Sequence, residues 1–385
     1  MTRKVEINRE KAMRYKKFGQ TGKEVSVLGL GCMRFDPQNE SLAIETILTA
    51  LRLGINYLDT APGYCQDKSE EFVGRALVEL TPQEKEKVYI STKSTIYSDP
   101  TAEEVLRRIE SQLKRLNKER IDFYNMWNIM DLEQYRRIMA PGGPYEGARQ
   151  AKEQGLISHL CCTSHASGED IARIVEDGAF EGITLGYNII NHTFRQAGLK
   201  AAAAAGWGVV TMNPLGGGLL TRDEAKLEKL KDEPDSSFIA TALRFNLAHE
   251  EITVVLSGMK NPEEVKANVA TVNSLQKPDP EIVQKILKRY EALGEAFCTG
   301  CRYCLEYCPQ GIQIHLYAQM WDQVRMKLPE EAHRIYQIYL GNEERWLQGQ
   351  RTTDCTECGE CEEHCPQRLP IREYLDKIGH FLGEK

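Results

Sequence analysis

From residue 27 to about residue 275, short apolar runs alternate with longer stretches of helical period. The runs cover 27–33, 55–59, 88–93, 121–127, 159–163, 183–187, 208–212 and 252–256. Between them, 41–53, 69–79, 101–116 and 168–177 repeat apolar residues at three- and four-residue intervals, as amphipathic helices do. Such alternation predicts parallel strands joined by crossover helices. Eight strands in about 250 residues suit a closed (β/α)8 TIM barrel. The rival is an open doubly wound sheet, which normally carries a Gly-rich phosphate turn after its first strand. Gly29-Leu-Gly-Cys-Met lacks that G-x-G-x-x-G spacing, so the barrel is the expected fold class.

The pattern changes at both ends. Residues 1–12 form a charged lead-in, and 13–28 read as a hairpin with a Gly-containing turn around 20–22. Residues 278–294 predict a helix leading out of the barrel; 315–327, 330–340 and 371–382 predict further helices. The chain therefore divides into a lead-in (1–12), a barrel (13–294) and a small, mainly helical C-terminal domain (295–385).

Chemistry in the C-terminal region is carried by cysteines. Cys298, Cys301, Cys304 and Cys308 stand at C-x2-C-x2-C-x3-C-P spacing, repeated by Cys355, Cys358, Cys361 and Cys365. This is the spacing with which ferredoxins hold iron–sulfur clusters, the fourth Cys of each run usually ligating the other cluster. Two 4Fe-4S clusters are expected: Cys298, Cys301, Cys304 and Cys365 on one, Cys355, Cys358, Cys361 and Cys308 on the other. Zinc sites space their ligands in separated pairs, and a disulfide framework fits an oxidising compartment poorly supported by so many clustered thiols.

Composition narrows the setting. Charged residues make up 27% and hydrophobic ones 41% of 385 residues, ordinary globular values, and the formal net charge is −7. An acidic balance argues against nucleic acid and against an anionic membrane surface as partner. Clustered thiols, an N-terminus with no apolar signal core and the lack of a membrane-length apolar run predict a soluble, cytoplasmic protein.

In a barrel, functional side chains gather at the C-terminal strand ends. The second strand ends in Asp59, followed by Tyr64 and Cys65; the third ends in Ser91-Thr-Lys93. An Asp beside a Lys keeps the ammonium charged, and that charge favours ionisation of a neighbouring phenol, so Asp59, Lys93 and Tyr64 suit proton donation. Taken singly, each also suits an ordinary barrel-rim residue. Cys161 and Cys162 sit in a strand and read as core, Cys65 as a small rim residue, and His165 as a cap or a group beside a cofactor. Glu357, Glu360, Glu362 and Glu363 make the surroundings of the second cysteine run electronegative.

These residues carry a resemblance. Tyr57-Leu-Asp59-Thr-Ala-x-x-Tyr64, Ser91-Thr-Lys93, Asn213-Pro-Leu-Gly-Gly-Gly218 and Ser257-Gly258-Met-x-x-Pro-Glu-Glu264-Val-x-x-Asn268 resemble the aldo/keto reductases. So does the stretch from Arg14 to Arg34, and the likeness extends from Met13 to about residue 275. With the cysteine runs, the chain is similar to the branch bearing a C-terminal two-cluster ferredoxin-type domain. The resemblance implies a (β/α)8 barrel binding NADP(H), less often NAD(H), without a Rossmann fold. It implies Tyr64 as general acid, Lys93 as its pKa tuner and Asp59 as the anchor of Lys93. It places Thr163, Ser164 and Thr184 at the nicotinamide carboxamide, and Pro214, Leu215 and Gly216 along the pyrophosphate. Gly258, Met259, Lys260, Glu264 and Asn268 fall at the adenosine end, where the Lys260 ammonium could also meet a 2′-phosphate.

The departures set the open questions. Trp127 stands where the family's fourth strand carries its catalytic His; indole N–H donates a hydrogen bond but relays no proton. Asn128 follows directly but faces away in a regular strand. Thr184 replaces a usual Gln, and Met212 a common aromatic. The expected function is NAD(P)H-linked reduction or oxidation of a small carbonyl or activated C=C substrate, with the clusters serving an electron-transfer partner such as a ferredoxin, flavodoxin or flavoprotein. Two alternatives stand beside it: an iron–sulfur electron carrier on a catalytically degenerate barrel, and a redox-neutral lyase or isomerase using the same pocket.

Overall fold

The computed structural model describes residues 13–216, 231–232, 235, 237–275, 277–292, 297–298, 300, 302–325, 329–340, 350–365 and 368–384. A two-stranded antiparallel hairpin comes first, β1 (Tyr15–Lys17) paired with β2 (Glu24–Ser26). The eight strands β3 (Leu28–Gly31), β4 (Tyr57–Asp59), β5 (Tyr89–Thr95), β6 (Ile121–Ile129), β7 (Ile157–Ser164), β8 (Gly182–Gly186), β9 (Gly208–Met212) and β10 (Val254–Ser257) then close a parallel barrel. Its strand order is sequential, with β10 returning to pair with β3. Each of the eight apolar runs thus became a barrel strand.

The crossover helices form where the pattern and the caps agree. Ala102–Leu116 begins at Thr101, whose hydroxyl and the Glu104 carboxylate close a capping box, and ends at Asn117 with φ of 50°. It turns Val105, Ile109, Gln112 and Leu116 inward, one face of a 3.6-residue period. Outward-facing strand residues such as Leu28, Leu58 and Ile90 join the helices in one large core. Inward-facing ones follow the alternation of the strands: Tyr57, Phe123, Cys161, Val210, Val254 and Leu256 fill the lower barrel.

The hairpin plugs the barrel's N-terminal end. Phe18 inserts its ring 4.2 Å from that of Phe123 and 6.0 Å from that of Tyr57. Glycine in β8 and β9 makes room for it. A Cβ on Gly208 would stand 2.2 Å from the Phe18 ring, and one on Gly182 2.5 Å. Gly208→Ala is therefore expected to destabilise by about 1–3 kcal/mol, read as a lower thermal midpoint; an unchanged midpoint would contradict this packing.

The C-terminal region is helical and internally two-fold. Tyr303–Glu306 lies within the first cysteine run, and Ile314–Arg325 and Pro329–Tyr339 follow it; Glu360–Glu363 lies within the second, and Ile371–Leu382 follows it. Ile314, Tyr317, Met320, Ile371, Leu375 and Ile378 build a core of their own. A single offset of 57 residues, the separation of Cys298 and Cys355, relates the halves. It carries the helix start at Ile314 onto that at Ile371. It also pairs left-handed backbone positions: Gly300 with Glu357, Arg302 with Gly359 and Gly311 with Arg368. Tyr307 and its counterpart His364 stack across the pseudo-axis with ring centroids 3.4 Å apart. Among the described residues, no helix is long and apolar enough to cross a membrane.

Candidate active site

Register brings the polar strand ends to one level. Asp59 lies beside Ser91, Lys93 beside Asn125 and Thr95 beside Trp127. Their side chains stack inward above the apolar layer of the barrel. Lys93 Nζ donates to Asp59 Oδ2 at 2.6 Å, the two side chains being 3% and 7% exposed. Ser91 Oγ donates to the same oxygen at 2.9 Å, and Asn125 Nδ2 donates to Ser91 Oγ at 2.9 Å. A buried ion pair gains from further hydrogen bonds, and here Ser91 adds a second donor to the carboxylate while Asn125 fixes Ser91.

Tyr64 reaches this layer from the loop after β4. Its ring centroid lies 5.6 Å from Lys93 Nζ and 5.8 Å from Trp127, whose indole meets it edge-on at 89°. The backbone around it is unusual: Cys65, Gln66 and Asp67 all adopt positive φ, at 53°, 56° and 66°. Successive non-glycine residues of that kind are costly and persist only where the surroundings hold them, often at functional sites. The loop is held at its far end by Ser69, whose hydroxyl donates to Cys32 O at 2.8 Å.

Glu70, next in sequence, supports the other side of the pair. One carboxylate oxygen accepts from Thr92 Oγ1 at 2.6 Å and Gln112 Nε2 at 2.9 Å; the other takes both Nε and Nη2 of Arg115. Gln112 Nε2 also donates to the Lys93 carbonyl at 2.9 Å, so Glu70 positions Lys93 through its backbone. Nothing in the local sequence pattern distinguishes this buried Glu from the solvated Glu71 beside it.

Burial pushes the Tyr64 phenol up, with Asp59 and Cys32 adding to the effect and Arg34 opposing it. Tyr64 is thus held in its protonated form. Trp127 stands inside the barrel mouth, while β6 bulges between Met126 and Ile129. In that bulge Asn128 takes φ of 75° and its N–H donates to Thr163 Oγ1 at 2.9 Å. The strand irregularity therefore reorients Asn128 at the rim.

The residues expected at a nucleotide divide among three places. Pro214, Leu215, Gly258, Lys260, Glu264 and Asn268 line one trough of about 490 Å3, joined by Arg34. A Cβ on Gly258 would meet Arg34 Cγ at 2.7 Å, so glycine keeps the trough open there. Glu264 closes the start of helix Pro262–Ser274, its carboxylate accepting from Lys260 N at 2.8 Å, and Asn268 Nδ2 donates to Ser257 Oγ at 3.0 Å. Gly216 instead lines a second cavity at the barrel mouth. Thr163 and Ser164 are buried at the end of β7 and Thr184 within β8 beside Thr163, with Ser164 Oγ donating to Ile129 O. The Met259 side chain is fully buried in the outer core, so only its backbone is left to meet a ligand.

The cysteine sites fit iron–sulfur clusters. Cys308, Cys355, Cys358 and Cys361 line a single cavity, the set that draws its fourth ligand from the other run. All the described cysteines are free, so no disulfide framework forms among them. Cys298, Cys304 and Cys365 border the same small core; Cys301 lies outside the described residues. Among the described residues, no three His, Cys, Asp or Glu side chains are grouped to hold a single metal ion. Cys298 N donates to Asp322 Oδ2 at 2.7 Å, which positions the first ligand loop.

Comparison with known proteins agrees with both halves. Residues 27–288 match the aldo/keto reductase family model, and residues 297–369 match that of the 4Fe-4S dicluster domain. The L-galactose dehydrogenase of Arabidopsis thaliana is 28% identical over 306 residues, 72% of this chain and 93% of that protein. The NADH-specific methylglyoxal reductase of Escherichia coli is 25% identical over 299 residues, 66% of this chain and 90% of that protein. Among solved structures, the holo form of the aldo-keto reductase AKR11C1 from Bacillus halodurans matches with a TM-score of 0.62 at 25% identity, covering 72% of this chain and 96% of that one.

Proposed function

The chain belongs to the aldo/keto reductase family of oxidoreductases, and on that premise we propose that it reduces a small carbonyl or activated C=C substrate with NADPH or NADH, Tyr64 being the general acid. The observation that carries this reading is the Asp59–Lys93 pair, buried at 2.6 Å beneath Tyr64 at the C-terminal end of the barrel. When bound, the nicotinamide supplies a hydride to the substrate carbon. Tyr64 Oη supplies the proton, to the carbonyl oxygen or to the carbon next to the activating group, and regains it from solvent. Lys93, held in place by Asp59, keeps its ammonium beside the phenol while it is transiently an anion. The trough from Pro214 to Asn268 holds the pyrophosphate and adenosine ends, where the Lys260 ammonium would meet a 2′-phosphate.

Trp127 favours the C=C variant. Carbonyl reduction in the family uses a second donor to orient the oxygen, whereas saturation of an activated double bond needs one well-placed acid. Trp127→His is therefore expected to raise carbonyl reduction relative to C=C reduction by about tenfold or more. An unchanged ratio would remove Trp127 from the specificity argument.

The eight cysteines of the two runs are proposed to hold two 4Fe-4S clusters, which supply one-electron exchange with a redox partner. Anaerobically purified protein should then contain about eight irons and eight sulfides per chain. The same sample, titrated with NADPH and a substrate panel, separates the readings. Nucleotide binding with consumption during turnover supports the reductase. Binding without consumption selects redox-neutral chemistry, and no binding with clusters reoxidised by a flavodoxin leaves an electron carrier.

A further inference from the structure

The barrel mouth and the C-terminal region share a cavity of about 360 Å3. Met130, His165 and Asn188, just beyond the ends of β6, β7 and β8, line one side; Cys298, Arg302 and His315 line the other. Asn213 lines both this cavity and the nucleotide trough, so the two spaces meet at the end of β9. Its size lies within the range of small-molecule sites.

Among the described lining residues, positive side chains outnumber negative ones. Arg195 is 8% exposed, with Nη1 donating to Gly186 O at 3.2 Å and Nη2 to His165 O at 3.1 Å, while its Nε is buried without a partner. Arg302 faces the same space, and its charge acts on both Arg195 and His165. Among the described residues, neither guanidinium forms an ion pair; Asp131 acts on Arg302 only from beyond that distance. The acid in the lining, Asp322, is taken by Arg325 and by Cys298 N. A third lining guanidinium, Arg334, is matched by Glu331. Two guanidiniums without an ion pair among the described residues, set at one partly enclosed cavity, favour an anion between them.

The internal symmetry makes Arg302 the more telling of the two. Its counterpart is Gly359, and both take left-handed backbone, at 67° and 84°. Glycine adopts that conformation freely, whereas an arginine there is strained. At this pair the run facing the barrel carries the strained residue, whereas at the other two pairs it carries glycine, opposite Glu357 and Arg368.

We propose that Arg195 and Arg302 form a carboxylate-binding subsite, so that the substrate is a small organic acid. A guanidinium fork matches a carboxylate in a bidentate way, and two forks from different parts of the chain fix its orientation. The identity of the reacting carbonyl or C=C group rests on the reductase reading above; the carboxylate subsite is testable without it. A cluster held by Cys298, Cys301, Cys304 and Cys365 is itself anionic and would account for Arg302 alone. Arg195, anchored on carbonyls at the ends of β7 and β8, answers to the barrel.

The test uses the full-length holoprotein with its iron and sulfide contents verified. Benzoate and its neutral isostere benzamide are titrated by calorimetry, in the presence and absence of NADPH. Benzoate is expected to bind about tenfold or more tightly than benzamide. Arg302→Gly, which installs the residue of the symmetry mate and relieves the left-handed strain, should abolish most of that difference with iron content intact. Arg195→Lys should do the same while leaving benzamide within about twofold. Equal binding of the two probes by the unaltered protein would overturn the proposal. So would an Arg302→Gly variant whose cluster midpoint potential moves while benzoate affinity does not, since Arg302 would then serve the cluster alone. Loss of NADPH binding in the unaltered protein would sink the reductase reading and leave the benzoate comparison to be judged by itself.

Discussion

Tyr64→Phe is expected to lower turnover by about 10²–10⁴-fold while NADPH affinity stays within a few-fold, because the change removes the proton-bearing hydroxyl and keeps the ring. The ring meets Trp127 edge-on at 5.8 Å and lies 5.6 Å from Lys93 Nζ, contacts that Phe retains. Single-turnover rates with saturating nucleotide and substrate are the measurement. A rate near that of the unaltered protein would remove Tyr64 as the acid. Burial raises this phenol, so it stays protonated through neutral and mildly alkaline pH. Its proton is therefore available throughout that window. The reductive rate should show no descending limb from Tyr64 before about pH 9; a limb near neutrality would mean that bound nucleotide reverses the shift.

Asp59→Ala carries the largest expected stability effect. It strands the Lys93 ammonium, 3% exposed, with no carboxylate inside the barrel, and leaves Ser91 Oγ without its acceptor. Breaking a buried pair by removing one partner typically costs about 3–5 kcal/mol. Urea unfolding should report that loss, and turnover should fall with it because Lys93 would shed its proton or leave its place. The double change Asp59→Leu with Lys93→Met removes both charges together and should restore much of the stability but none of the activity. A double variant as unstable as Asp59→Ala would show that the loss lies in packing rather than in the uncompensated charge. The two predictions separate the acid from its support: loss of the Tyr64 hydroxyl bears on turnover alone, whereas loss of one partner of the pair bears on turnover and stability together.

Much of this was legible along the chain. The eight apolar runs appear as β3 to β10 within a few residues, because a barrel strand buried on both faces is apolar almost throughout. The cysteine runs are local, so their spacing is readable without a fold. Asp59 and Lys93 stand on β4 and β5, which in register bring them together, and Tyr64 follows in the loop after β4. What was not legible depends on contacts between distant segments. Glu70 looks like any helical surface acid until Thr92, Gln112 and Arg115 converge on it. Met259 stands within the nucleotide motif, yet its side chain turns into the core. Arg302 had a signal that could have exposed it: alignment of the two cysteine runs sets it opposite Gly359.

The amino-acid sequence by itself determined the alternation that makes a barrel, the spacing that offers eight thiolates, and the strand ends that carry the acid and its ion pair. These follow from periodicity and short-range spacing, which act between neighbours along the chain. Only the tertiary structure decided that the first cysteine loop faces the barrel mouth and that Arg302 meets Arg195 across one cavity there. It also decided that burial, rather than the nearby ammonium, sets the state of Tyr64. Desolvation and charge pairing are properties of the space between segments, and that space exists only once the chain has closed around it.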